Sequence, residues 1–332
     1  MFKTNGRWLV GGLVLLLVAL IGSQGAERVL QAQDVPSQLV LAMIPSREPD
    51  VLLPDLQPFG DLLAAALQAR GFAVDSVRAV VLESEQATVA GLGTGEIHIG
   101  FMGPFSAVQS EAESGARIVT STVRFGSAFY RGQLMSLSSS KFANIFDVAT
   151  AVRAGEEVTM SYSSSSSTSG FLFPCAMLAQ LEIMPGDHAN FKTIIAGGHT
   201  ASALAVWRGD VNFGWGFDDV RQSLVGREAD TGVSAANPEF DQFEEIDGRL
   251  KVIGYSGFIP NDPQVVAGNL PGDLQDAIQA ELVALSNTDA GNALLRSLLY
   301  GTEFVPVTSA DFEPVRQVVA QVEPNRDRCL NQ

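Results

Sequence analysis

Five serines, a threonine, another serine and a glycine form one run, Ser163 to Gly170, and an apolar segment, Phe171 to Leu181, follows directly. Hydroxyls donate hydrogen bonds without adding charge. At the start of a helix the first backbone N–H groups lack intrahelical acceptors, and the positive end of the helix dipole stands behind them. That combination suits an oxyanion such as phosphate, phosphonate, sulfate or carboxylate. A serine-rich run can also be a flexible linker. Here it abuts an apolar, helix-compatible stretch, which argues for a loop that opens a helix.

Two more strand ends carry polar residues. Gly197-Gly198-His199-Thr200 follows the strand-like Phe191 to Ile195, and Asp218-Asp219 follows Val211 to Phe217. If their strands are neighbours in one sheet, these residues converge on one rim with the serine run. Two glycines let the backbone before His199 turn tightly. The imidazole can donate to an anion oxygen, and a nearby anion favours its charged form. Asp218 can accept from a ligand O–H or ammonium, orient His199, or simply cap a helix. In the first half of the chain, Ser46 and Arg47 follow the first strand-like segment, and Phe101 and Phe105 flank Gly103-Pro104. Arg47 can pair with an anion bidentately. The two phenylalanines either wall a pocket or pack in a core.

Catalysis finds little support. Ser, His and Asp occur in that order, but there is no Gly-x-Ser-x-Gly elbow to expose one nucleophile. His98, His188 and His199 show no metal-ligand spacing, so neither a metal nor a cofactor is expected. The chain carries a formal net charge of −16; its first 33 residues carry +2 (Lys3, Arg7 and Arg28 against Glu27), which leaves −18 for the remainder. Nucleic acid is therefore an unsuitable partner. Cys175 and Cys329 can form one disulfide in an oxidising compartment, or Cys175 can be a small buried thiol.

The elements that position these residues alternate. Residues 1–33 read as a signal peptide or N-terminal anchor: a positive start, 14 apolar residues from Trp8 to Ile21, then small residues. Strand-like Gln38 to Ile44, helical Pro58 to Arg70, strand-like Ala73 to Val81, helical Glu85 to Gly93 and strand-like Ile97 to Phe101 follow. The pattern repeats through Val158 to Tyr162, Phe191 to Ile195, Ala201 to Arg208 and Val211 to Phe217, then breaks into a polar excursion at Gly226 to Asp247. Lys251 to Tyr255 is strand-like, Ile259 to Pro263 turn-rich, and Leu274 to Leu285 helical. Such alternation predicts α/β sheets with ligand loops at strand ends.

The chain resembles the substrate-binding proteins of phosphate, phosphite and phosphonate ABC importers. The resemblance rests on Ile44-Pro45-Ser46 with Phe59, Ile99-Gly100-Phe101-Met102-Gly103-Pro104, Ser167-Thr168-Ser169-Gly170-Phe171-Leu172-Phe173-Pro174, Gly198-His199-Thr200-Ala201-Ser202-Ala203, Ile259-Pro260-Asn261-Asp262-Pro263 and Val307-Thr308-Ser309-Ala310-Asp311-Phe312. It implies a two-lobed periplasmic-binding-protein fold, type II-like, with mixed sheets flanked by helices and a hinge between lobes. Lobe one is expected at 38–122 plus 252–320, lobe two at 128–245, and a C-terminal tail at 321–332. The resemblance also implies that Ser167, Thr168, Ser169 and His199 hold a phosphorus oxyanion. In such proteins aromatic side chains often contact the ligand; here the first loop offers Ser46-Arg47 instead, and Phe101 and Phe105 carry no hydroxyl. The implied protein is an exported monomer that serves a membrane permease, at the periplasmic or extracellular face. A sensor of the same fold, signalling to a membrane kinase, is the alternative.

Overall fold

The computed structural model describes residues 35–44, 49–218, 220–221 and 246–331. The expected leader, Ser46, Arg47, Asp219 and nearly all of the acidic excursion lie outside the described residues. The chain opens with β1 (Gln38–Met43), α1 (Pro49–Ala69), β2 (Ser76–Val81), α2 (Glu85–Thr94), β3 (Ile99–Phe101), α3 (Pro104–Ser114) and β4 (Arg117–Arg124). β1 is buried from Leu39 onward, as a parallel strand covered on both faces must be. It pairs in parallel with β2 and β3. The Ser84 hydroxyl accepts from Ala87 N–H and so starts α2, which puts Glu85 in the first turn. Gly103 and Pro104 start α3, with proline where no N–H is needed.

A short crossing strand, β5 (Phe129–Tyr130), leads to the second lobe. There follow β6 (Gly132–Leu137), α4 (Ile145–Arg153), β7 (Val158–Tyr162), α5 (Phe173–Gln180), β8 (Phe191–Ile195), α6 (His199–Arg208), β9 (Phe213–Phe217) and β10 (Leu250–Tyr255). The chain returns through β11 (Ile259–Pro260) to β12 (Pro263–Val266), α7 (Gly272–Ser286), α8 (Asp289–Leu299), β13 (Gly301–Pro306), α9 (Glu313–Val322) and α10 (Arg326–Leu330).

The first sheet has strand order β13-β4-β12-β3-β1-β2 and the second β10-β6-β9-β7-β8. Between them β5 and β11 form an antiparallel pair, Tyr130 opposite Ile259. Both chain crossings therefore run side by side at the hinge. Phe59, Phe101 and Phe304 form an edge-to-face cluster in the core of lobe one, with centroids 5.6 to 6.2 Å apart. In lobe two Tyr162 meets Phe171 at 5.1 Å and Phe142 meets Phe213 at 4.8 Å.

The C-terminal helices add a third link. α9 lies against α3, where Arg316 pairs with Glu111. α10 reaches lobe two, where Cys329 forms a disulfide with Cys175 in α5 and Arg328 pairs with Asp187 at 2.5 Å.

The expected boundaries shift in places. α1 begins at Pro49, nine residues before the expected start, and carries Pro54 and Pro58 within it. Burial of Leu52, Leu56 and Phe59 along one face holds this proline-bearing segment helical. Of the expected turn-rich Ile259 to Pro263, Ile259 and Pro260 form β11 and Pro263 is the first position of β12, where proline costs no ladder bond. β10 belongs to the second sheet through its pairing with β6, so the return crossing starts after Tyr255 and not at 252.

Candidate functional site

The serine run follows β7 directly. Ser167 caps the next helix: its Oγ accepts from Gly170 N–H at 3.0 Å and lies 3.2 Å from His199 Nε2. Thr168 to Leu172 form a π-turn, closed by Leu172 N–H donating to Ser167 O at 3.0 Å, before α5 begins. Such wide turns recur at functional sites. Gly170 is obligatory here, since a Cβ would fall 2.7 Å from that of Ser163. With Gly170 N–H capped, the N–H groups of Thr168 and Ser169 head the helix, where no intrahelical acceptor exists.

Lobe one approaches from the other side. The N–H of Phe105, in the first turn of α3, donates to Thr168 Oγ1 at 2.9 Å. Gly103 leaves the gap where the lobes meet: a Cβ there would stand 3.3 Å from Glu85 Oε2 and 3.4 Å from Thr168 Oγ1. The Ser106 hydroxyl donates to Glu85 Oε2.

The hinge supplies the remaining groups. The Tyr130 hydroxyl lies beside the Ser169 side chain. Gly132 permits this closeness, because a Cβ would lie 2.5 Å from Ser169 O. Arg124, the last residue of β4, donates from Nε and Nη2 to Asn261 Oδ1 at 3.3 and 3.1 Å. Its Nη1 is 3.9 Å from Asp262 Oδ2, and its guanidinium lies over the Tyr130 ring at 4.9 Å. From behind, Arg326 of α10 donates to Ser165 O at 2.5 Å and covers the Phe171 ring at 5.1 Å.

Glu85, His199 and Asp262 lie deep where the lobes meet and are only partly exposed. Depth controls their charge. Desolvation pushes the Glu85 carboxyl up to about 7; Asp262 adds to the rise and the Ser106 hydroxyl opposes it. Desolvation, with Arg124 nearby, lowers the His199 ring to about 4. Desolvation raises Asp262 and Asp218, and Arg124 opposes both shifts. Without a ligand, desolvation and the Arg124 guanidinium favour the neutral His199 ring; the expected charged ring concerns the anion-bound site.

Of the expected site residues, Ser167, Thr168, Ser169 and His199 do come together. Asp218 lies at the hinge, where its Oδ2 accepts from Arg131 N–H at 3.2 Å; the bond of His199 goes to Ser167. Phe101 is corrected to a core residue, its ring locked against Phe59 and Phe304. Phe105 contributes its backbone; its ring lines a separate cavity of about 780 Å³ between α3 and α9. Sequence reasoning missed Arg124, Tyr130 and Glu85. Asp262 was quoted only within a motif.

Among the described residues no group of three or more His, Cys, Asp and Glu is placed to hold a metal. No described helix is long and apolar enough to cross a membrane.

Two α/β lobes on a paired-strand hinge, with the N-terminus of α3 hydrogen-bonded to the Thr168 turn where they meet, define a two-lobed solute receptor of the periplasmic-binding-protein class. Residues 41–312 match the family model described as ABC transporter, phosphonate, periplasmic substrate-binding protein, and the chain belongs to that family. It is 25% identical over 321 residues to the phosphate-import protein PhnD of Mycolicibacterium smegmatis, with 92% of each chain covered. Two solved structures share the fold. One is a binding-protein component of an ABC phosphonate transporter from Pseudomonas aeruginosa (TM-score 0.69, 21% identity, 89% of this chain and 88% of that one). The other is PhnD1 from Prochlorococcus marinus in complex with methylphosphonate (TM-score 0.68, 17% identity, 86% of this chain and 98% of that one). The family is one of transport receptors, so the sensor alternative is not favoured.

Proposed function

We propose that the recess captures a small phosphorus oxyanion, a phosphonate, phosphite or phosphate, and that the closed receptor, as a monomer, presents it to an ABC permease outside the cytoplasm. The leader at 1–33 serves export or anchoring in this reading. Ser167, Thr168, Ser169 and His199 hold the head group from lobe two, and Arg124 supplies the cation at the hinge. Asp218 orients the ligand from the hinge side. The observation that carries the reading is the Phe105–Thr168 contact, which sets the N-termini of α3 and of the Thr168 turn against one recess. Neutral donors and one guanidinium capture an anion despite the acidic surface. Ligand binding then favours closure about the β5–β11 hinge.

Calorimetric titration of the protein without its leader tests this, with phosphate, phosphite, methylphosphonate and 2-aminoethylphosphonate as probes. Saturable one-to-one binding of at least one is expected. No binding of any of the four sinks the reading.

A further inference from the structure

Successive carbonyls at the start of the serine run have donors from different parts of the chain. Ser163 O accepts from Gly197 N–H at 3.0 Å, and Ser164 O from Ser167 N–H at 3.2 Å. Ser165 O accepts from Arg326 Nη2 at 2.5 Å, across 161 residues of chain. The same guanidinium lies over the Phe171 ring at 5.1 Å, and Phe171 belongs to the π-turn. One side chain therefore meets the run on both sides of Ser167, Thr168 and Ser169. The other arm of its fork is aimed as well: Nη1 donates to Glu323 Oε1 at 2.9 Å. The segment that carries it is tied to both lobes. Arg316 of α9 pairs with Glu111 of α3, whereas Cys329 and Arg328 of α10 hold Cys175 and Asp187 of lobe two.

Such a hold answers a physical problem. Fixing a backbone costs conformational entropy, and serine has little apolar surface to offset it. A run that ordered only around its ligand would draw that cost from affinity. A cation donating to a carbonyl makes a strong hydrogen bond, and its contact with an aromatic face adds to the attraction. We propose that Arg326 is a positioning residue for the oxyanion site: from the C-terminal segment it clamps the serine run at Ser165 and Phe171, so that the N–H groups of Thr168 and Ser169 stand ordered before the ligand arrives. This rests on the proposed function. Arg326 acts through the run; the anion itself meets the hydroxyls and N–H groups of the run. The Cys175–Cys329 bridge then serves the site as well as stability, because α10 begins at Arg326.

The test combines titration with amide hydrogen exchange. The titrants are phosphate, phosphite, methylphosphonate and 2-aminoethylphosphonate. Exchange is followed in the unliganded protein at Ser167, Gly170 and Leu172, whose N–H groups hold the turn together. Arg326→Met keeps an unbranched stem and removes the fork. It should weaken binding of the tightest-bound titrant about tenfold. It should also speed exchange at the three amides while leaving β1 unchanged. Arg326→Lys retains a cationic donor for Ser165 O, so it should recover most of both losses. Wild-type affinity or wild-type exchange in Arg326→Met overturns the clamp, and so does a lysine variant no better than the methionine one. Those outcomes leave the proposed function standing. If Arg326→Met does not fold, Glu323→Gln decides, because it keeps the guanidinium and removes its aiming partner. Faster exchange at the three amides together with weaker binding supports the proposal; wild-type behaviour in either overturns it. If none of the four titrants binds wild type, the proposed function fails and this inference falls with it.

Discussion

The N–H of Phe105 in lobe one and the hydroxyl of Thr168 in lobe two are joined by a 2.9 Å hydrogen bond across the recess. Both groups are buried, so this contact belongs to the closed arrangement of the lobes. Thr168→Val keeps the shape and removes the acceptor. A buried N–H left unpaired costs about 1–3 kcal/mol. That cost falls on the closed state, so affinity for the best-bound oxyanion should drop between about fivefold and a hundredfold. Titration of the variant against wild type measures it; equal affinities would mean that closure does not depend on this bond.

The Ser169 side chain lies beside the Tyr130 hydroxyl, and its N–H heads the π-turn. A hydrogen bond to a charged group contributes about 1.5–3 kcal/mol. Ser169→Ala should therefore weaken oxyanion binding at least about tenfold. Tyr130→Phe should weaken it less, because it leaves the serine hydroxyl free to donate to the ligand. Wild-type affinity in Ser169→Ala would remove the serine run from the site.

How much of this site is legible in the sequence depends on how local each signal is. The serine cap is local: hydroxyls, a glycine and an apolar helix start are contiguous, and Ser167, Thr168 and Ser169 stand at that terminus. His199 follows Gly197, whose φ of +91° a side chain rarely adopts, and this too is a short-range mark. Arg124 and Glu85 have no such mark. Arg124 ends a strand with mixed polarity, and Glu85 resembles any acidic residue in a first helical turn. Their roles come from pairing of β4 with β12, whose partners are 142 to 149 residues apart (Pro263 with Ser121, Val266 with Arg117), and from the meeting of two lobes. The same holds for sheet one: its parallel half was readable from alternation, whereas β4 and β13 needed their antiparallel partners.

The disulfide joins α5, which carries the serine cap, to α10, whose Arg326 supports Ser165. The two cysteines are 154 residues apart, so the bridge restricts the unfolded chain strongly. Cys329→Ser should lower stability by about 2–4 kcal/mol. Reductant should bring the melting temperature of wild type down to about that of the variant and leave the variant unchanged. Two free thiols in denatured, unreduced, exported protein would show that the bridge does not form.

The last prediction concerns stability against pH in the unliganded protein, where His199 and Glu85 pull in opposite directions. His199 falls from 6.5 to about 4 on folding, so the fold prefers the neutral ring. Its contribution is complete above pH 6.5 and is lost as pH falls towards 4. Glu85 rises from 4.5 to about 7, so the fold prefers the protonated acid. Its contribution is complete below pH 4.5 and is lost as pH rises through 7. Each pKa unit corresponds to about 1.4 kcal/mol. Because both side chains keep some open surface, each effect should amount to about 1–3 kcal/mol. Glu85→Gln should therefore stabilise the unliganded protein at pH 8 by that amount and flatten the decline between pH 4.5 and 7. His199→Gln should flatten the decline between pH 6.5 and 4. Denaturant unfolding of the three proteins across pH 4 to 8 gives the curves directly. If Glu85→Gln is less stable than wild type at pH 8, the buried carboxylate is compensated by a group that the recess geometry does not include.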